Sequence, residues 1–512
     1  MMKKLSFLAR ISLLLAVFFA LDKGLAIVRQ VIVAREFGLS AALDAFNAAN
    51  NLPDLLYAVI SGGALAIAFL PVLTAVMTRE GRQPAWALFS RIANLAFVVT
   101  AGLSVIIAVL AGPLVSWQIG IAPGFTASQQ QLVAQLMRLH LIATLIFSIS
   151  GLVMAGLQAN QHFLLPAIAP LLYNLGQIFG ALVLAPERPF RLGPLPLPAF
   201  GLGVYGLVYG VILGALLHLA VQIPGLIRYG FRWTPRLDLQ NPDVRQVLRL
   251  LGPRVLTIFF IQLGFVVRDN LASRMAPGAV TALTYGWMLM QVPETLIGTA
   301  IGTAMLPTLA GQAARGEWQA FRETVDRAMR VLLAITIPVA LLASIGLQPL
   351  VKLAFGFDAQ GTSLVVWVTR VYLFGVIAHS LLEVASRGFY AQQEARIPLL
   401  ASAICTAAYL GIALALQHPL GAPGIALANT LAFSGEAAIL ILWLDRRLPG
   451  RFRWGGTLLR TLSGTLAAGL LSAAAMKSLP IQPVVLAIFA ASLGGIVALP
   501  FVWSEVRLLV RL

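Results

Sequence analysis

Gly156 to Pro166 (GLQANQHFLLP) returns as Gly388 to Pro398 (GFYAQQEARIP), with glycine, alanine, glutamine and proline in register at an offset of 388 − 156 = 232. The same offset places Arg138 on Arg370 and Ser148 on Ser380, so the match runs back through the preceding apolar segment. A chain that repeats both a helix and the way that helix ends is a duplicated chain. Tandem helical repeats facing each other across a cavity are a transporter architecture.

The solvent of this molecule follows from its composition. Of 512 residues, 59% are hydrophobic and 11% charged, more apolar side chain than a water-soluble core can hide, so the bilayer takes the place of water. Apolar stretches recur from end to end and predict about fourteen helices, each near the roughly 20 residues that a ~30 Å hydrocarbon core requires. The expected fold is an all-α polytopic membrane protein. Residues 1–229 form an N-lobe of six helices, 230–447 a C-lobe of six more behind a basic connection, and 448–512 two helices with no partner in the repeat. Leu70-Pro71 closes the second span and Leu306-Pro307 the eighth, while Arg29 in the first answers Arg268 in the seventh. An even number of helices per copy returns the chain to the same side, which makes the lobes parallel repeats around a central cavity.

The net charge of +17 is spread over short connections and forms no single patch, so it points to orientation in a membrane and not to nucleic acid. Cytoplasmic termini put Lys3, Lys4, Arg79, Arg82, Arg228, Arg232, Arg236, Arg245, Arg249, Arg446, Arg447, Arg451 and Arg453 inside. Outer connections then hold few cations, namely Arg35, Arg188, Arg191, Arg274, Lys352 and Lys477. The first helix runs on through Lys23 and Arg29 with no small-residue cleavage site, so it is expected to be a span and not a removed leader. Cys405 is the only cysteine, which excludes a disulfide framework and a thiol metal site. The five histidines are scattered, and no HExxH, GxSxG, P-loop or metal-ligand spacing occurs, so no catalytic residue, metal or cofactor is expected.

Charged groups inside a span cost at least about 2.5 kcal/mol each and therefore face water or a partner. Asp22, Lys23, Arg29 and Gln30 fall within an arc of roughly 120° on the first helix. Asp44, Asn47, Asn51 and Asp54 follow at i, i+3, i+7 and i+10 on one face of the second, where Pro53 should bend the helix. These stripes are the candidate binding surface: Lys23 and Arg29 would hold an anionic headgroup, with Asp44, Asn47, Asn51, Asp54 and Arg268 beside them. The alternative is that the aspartates only neutralise the cations in structural pairs. Asp269 adjoins Arg268, and His379, Glu383 and Arg387 step by four, Glu ahead of Arg, the order of a helical ion pair. Asp269, Glu383 and Glu436 are the candidates for ion or proton coupling.

The run Val28 to Gly38 (VRQVIVAREFG), then Leu43-Asp44-Ala45-Phe46, Asn51-Leu52-Pro53 and Phe69-Leu70-Pro71, resembles the opening hairpin of the MurJ (MviN) family. Gln222-Ile223-Pro224, Leu251-Gly252-Pro253, Leu271-Ala272-Ser273 and Gly388-Phe389-Tyr390-Ala391 extend the resemblance over almost the whole chain. Members are lipid II flippases of the multidrug/oligosaccharidyl-lipid/polysaccharide exporter superfamily. The resemblance implies a fourteen-helix flippase of the bacterial cytoplasmic membrane that carries an undecaprenyl-pyrophosphate peptidoglycan precursor by alternating access. Its partners would be lipid II or a related polyprenyl-pyrophosphate lipid and cell-wall synthesis enzymes, and its last two helices would form a groove for the lipid tail. Arg29 matches the family's arginine in the first helix, Lys23 stands where a second is usual, and Asp44 matches the family aspartate. Two positions depart: Tyr57 and Met288 stand where the family carries arginine. The sodium ligand of some members is absent from Leu399 to Leu416. Two other readings stay open, an exporter of a different polyprenyl glycan or amphiphile on the same fold, and a non-transporting cell-wall scaffold.

Overall fold

The computed structural model describes residues 7–62, 64–192 and 194–508; Lys3 and Lys4, used above for orientation, lie outside them. With no water to satisfy backbone groups, a membrane chain closes its hydrogen bonds within helices. Among the described residues the only strand pairing is a short antiparallel one, Arg191–Leu192 with Leu195–Pro196.

The helices group into two compact units, Met1–Asn270 and Leu271–Leu512. The first holds α1 (Phe7–Phe37), α2 (Ala41–Ala49), α3 (Asn51–Leu56), α4 (Ala64–Glu80), α5 (Arg82–Val109), α6 (Ala111–Ser116), α7 (Ala127–Ala159), α8 (Leu164–Phe179), α9 (Val204–Ala220), α10 (Ile223–Arg228) and nearly all of α11 (Pro242–Ala272). The second holds α12 (Ala279–Pro293), α13 (Ala300–Ala314), α14 (Trp318–Phe355), α15 (Ala359–Ala391), α16 (Arg396–Leu420), α17 (Ala422–Arg447), α18 (Gly455–Ser478) and α19 (Pro483–Val506).

Eleven of the described helices are long and apolar enough to cross a bilayer, against fourteen spans expected from the sequence. The expected first span is the continuous α1. The expected second and eighth spans, those closed by Leu70-Pro71 and Leu306-Pro307, are not uniform rods. The first of these stops at Ala49 and resumes as α3, followed by a π-helical segment, Tyr57–Gly62, before α4. The break lies where Pro53 dictates, because a proline ring clashes with the carbonyl four residues earlier and residue 49 is that position. The second carries a π-helical segment, Glu294–Thr299, between α12 and α13. These two π segments sit in the second helix of their repeats, a third, Gly180–Leu184, extends α8, and such bulges are frequent at functional sites.

The duplication is visible in backbone detail. Gln161 (φ 57°) and Gln393 (φ 62°) are the only described non-glycine residues with positive φ, and 393 − 161 = 232. After each, an amide reaches back to close the helix, His162 N–H to the Leu157 carbonyl at 2.9 Å and Glu394 N–H to that of Phe389 at 3.0 Å. The Asn160 side-chain amide donates to the Gly156 carbonyl, as Gln392 does to that of Gly388. Arg138 Nε donates to the Ala108 carbonyl, and its counterpart Arg370 to that of Ser344. The shared role of the two arginines is to satisfy a carbonyl of a neighbouring helix. A left-handed glutamine costs about 1–2 kcal/mol relative to glycine at such a site. Gln393→Gly is therefore expected to raise the thermal midpoint in detergent by roughly 1 kcal/mol of added stability after glycine's greater unfolded-state entropy is subtracted.

In the first unit, Trp86, Phe69, Phe89 and Leu73 form a buried core, with Trp86 and Phe89 both edge-on to Phe231. α8 and its π-helical extension cross α9 at backbone contact. A Cβ placed on Gly180 would lie 2.6 Å from Gly210 Cα, so the small-residue face at positions 206, 210 and 214 serves close helix packing. The lobe limit expected at 229/230 does not coincide with the division of the compact units, which falls at 270/271. The reason is α11, whose Val244 and Val247 are buried in the first unit's core. Asp243 lies 3.5 Å from Arg79, and the Asn270 side-chain amide donates to the carbonyls of Gln118 and Gly120. In the second unit the two unpaired helices, α18 and α19, pack on each other and on α14.

Candidate functional site

Asp22 and Arg29 are seven residues apart on α1, two turns, and so lie on one face. Opposite them α8 places Asn174, only 4% exposed. Its amide nitrogen donates to Asp22 Oδ1 at 2.8 Å and its amide oxygen accepts from Arg29 Nη1 at 3.1 Å. Both ends of one buried amide thus hold the acid and the base in register, and Arg29 remains half-buried. Lys23 is exposed beside them, its ammonium 5.2 Å from the Phe19 ring centroid.

Across the break in the second helix the expected stripe divides. Asp44 is buried, in the first turn of α2 behind its N-cap Ser40. Asn47 is half-buried. Asn51 is buried and donates to Asp269 Oδ2 at 2.7 Å, while Arg268 Nε donates to Asp269 Oδ1, also at 2.7 Å. Arg268 also lies over the Phe265 ring. Arg268, Asp269 and Asn51 therefore form one buried network between α11 and α3, in which Asp269 offsets the charge of Arg268. Asp54 is exposed, as is Tyr57 at 38%.

Tyr57, where the resemblance implied an arginine, opens a row of aromatic rings. It meets Phe147 edge-on at 5.0 Å between centroids, and Phe147 meets Tyr173 at 5.0 Å and His218 at 5.3 Å. Tyr173 lies within electrostatic reach of Arg29, Asp54 and Tyr57, which joins the aromatic row to the cationic face. Reading the sequence had missed Asn174, Tyr173 and Phe147. Asn174 was recoverable, being one of two amides, with Gln177, within the otherwise apolar run Pro170 to Ile178 and so subject to the rule already applied to Asp22.

The remaining coupling candidates, Glu383 and Glu436, belong to the second unit. Glu383 pairs with Arg387 at 2.8 Å, and Arg387 Nη1 also donates to Thr303 Oγ1 at 2.5 Å. Glu294, within the π-helical segment, accepts from Thr299 Oγ1 at 3.0 Å. Glu436 is buried on α17. Met288 is half-buried on α12.

Residues 33–493 match the family described as lipid II flippase MurJ. The chain belongs to that family. The lipid II flippase MurJ of Burkholderia cenocepacia is 30% identical over 392 residues, 75% of this chain and 73% of its own. A "Probable lipid II flippase MurJ" of Rhizobium tropici is 27% identical over 84% of this chain and 79% of its own. Among solved structures, a lipid II flippase MurJ in an inward closed conformation superposes with a TM-score of 0.80 at 18% identity, covering 97% of this chain and 100% of that one. An inward-facing multidrug resistance MATE family transporter of the MOP superfamily superposes with a TM-score of 0.71 at 13% identity, over 85% and 98%. The fold is thus the MurJ fold, and the resemblance read from the opening hairpin holds over most of the chain. On this MurJ-family chain the open polar face carries Lys23 and Arg29, with an aromatic row where a further cation was expected.

Proposed function

We propose that this multi-pass membrane protein translocates lipid II, an undecaprenyl-pyrophosphate peptidoglycan precursor, across the bacterial cytoplasmic membrane by alternating access. The observation that carries the reading is the Asp22–Asn174–Arg29 bridge. A guanidinium held half-buried by a fixed amide is oriented before substrate arrives, and its planar fork suits phosphate oxygens. Lys23 adds a second, mobile charge on the same helix. The excess of arginine in one set of connections supports both termini lying in the cytoplasm. The work done is movement of a lipid with no bond made or broken, and cell-wall synthesis enzymes are the partners that would supply and consume it.

The test is the fraction of lipid II on the outer leaflet of cells in which this protein is the sole flippase candidate. Exposure that appears with the protein and vanishes on its depletion supports the reading. Correctly inserted protein with no exposure overturns it. A second reading rests on Tyr57, Phe147 and Tyr173: a row of rings in place of a cation favours a head with less phosphate charge and more sugar face, as in another polyprenyl-linked glycan. Thermal stabilisation by a panel of polyprenyl glycans, greater than by lipid II, would select that alternative.

A further inference from the structure

Glu505, near the end of α19, is fully buried. Arg330 Nη2 of α14 donates to Glu505 Oε1 at 3.1 Å, and Arg460 Nη2 of α18 donates to its Oε2. Thr457 Oγ1 donates to Oε1 at 2.9 Å and Ser504 Oγ to Oε2 at 2.5 Å, while Arg330 Nε donates to Thr457 Oγ1 at 3.1 Å. A buried carboxylate this well satisfied is a fixed anchor. The two guanidiniums it holds are not buried, the side chain of Arg330 being 34% and that of Arg460 42% exposed. Among the described residues Arg330 Nη1 and Arg460 Nε and Nη1 have no protein acceptor. Each arginine is therefore half spent on Glu505 and presents open donors outward.

Two arginines against one glutamate leave a charge of +1. Arg460 lies five residues into α18, about 7.5 Å along its axis at ~1.5 Å per residue, close enough to the helix end for a long arginine side chain to reach toward lipid headgroups. From beside it an apolar stripe, Leu459, Leu462, Leu466 and Leu470, runs along the exposed face of α18, with Leu459 73% and Leu470 74% exposed. An anionic group at one end and hydrocarbon along the other describe a lipid lying against the helix. We propose that Arg330 and Arg460, buttressed by Glu505, bind the phosphodiester of an anionic phospholipid of the surrounding bilayer. Charge decides the class: a single phosphodiester balances +1, whereas a diphosphate would leave the site overfilled with negative charge. Such a lipid ties α14 to α18 and α19 from outside.

Native mass spectrometry of the full-length protein with phosphatidylglycerol or phosphatidylcholine tests this. The wild type is expected to retain phosphatidylglycerol in preference to phosphatidylcholine, and Arg460→Gln to lose about tenfold of that preference. Arg460→Lys, which keeps the charge but not the fork, should lose less, and Arg330→Gln serves where Arg460→Gln does not fold. Wild-type preference persisting in both glutamine variants overturns the proposal. So does one-for-one displacement of phosphatidylglycerol by lipid II, which would make the site part of the transport path.

Discussion

Arg29→Ala is expected to cut lipid II exposure on the outer leaflet by about ten- to a hundredfold, with the protein still inserted and monodisperse. A hydrogen bond to a charged group contributes about 1.5–3 kcal/mol, and each 1.4 kcal/mol is about tenfold in affinity. The substitution also strips the Asn174 oxygen of its Arg29 donor, so part of any loss is structural. The double variant Asp22→Ala, Arg29→Ala separates the two effects. If Arg29 serves only to balance Asp22, removing both restores transport. If Arg29 holds the headgroup, the double variant recovers thermal stability and remains inactive. Asn174→Leu should give a smaller loss, several-fold, because the guanidinium stays but its orientation is no longer fixed.

The largest effect on stability is expected at Asp269. Asp269→Ala leaves a buried guanidinium and the Asn51 amide without their shared acceptor, and breaking one side of a buried pair costs about 3–5 kcal/mol. That is a large part of the roughly 5–15 kcal/mol that holds a typical domain together. The expected result is a sharply lowered thermal midpoint and poor yield. Replacing both partners by apolar residues, Arg268→Met with Asp269→Leu, should recover much of the loss, since a buried pair and its hydrophobic substitutes are often close in stability. Transport by that double variant reports on role. Retained transport removes Arg268 and Asp269 from substrate binding and coupling alike, whereas a stable but inactive variant returns them to it.

The two networks behind these predictions differ in how far each could be read from the chain. Arg29 was found because a charge in an apolar helix has few reasons to exist, and that cost is a local property of the sequence. The grouping of Asp22, Lys23 and Arg29 on one face follows from helical period alone. Asp44, Asn47, Asn51 and Asp54 obeyed the same period, yet the chain breaks after Ala49. Asp44 and Asn51 turn into the protein while Asp54 stays open. The stripe was a correct reading of an ideal helix that Pro53 does not permit.

What the sequence by itself determined is the bilayer as solvent, the duplication and the family. Each is written in composition or in a repeated string, down to the left-handed glutamines at 161 and 393. Only the tertiary structure decided which partners those polar groups take. Asn174 reaches Arg29 across 145 residues and Asn51 reaches Asp269 across 218, and α11 joins the first compact unit and not the second. The physical reason is that period and cost are set within a helix, whereas a hydrogen bond needs two atoms within about 3 Å, and only packing of distant helices places them there.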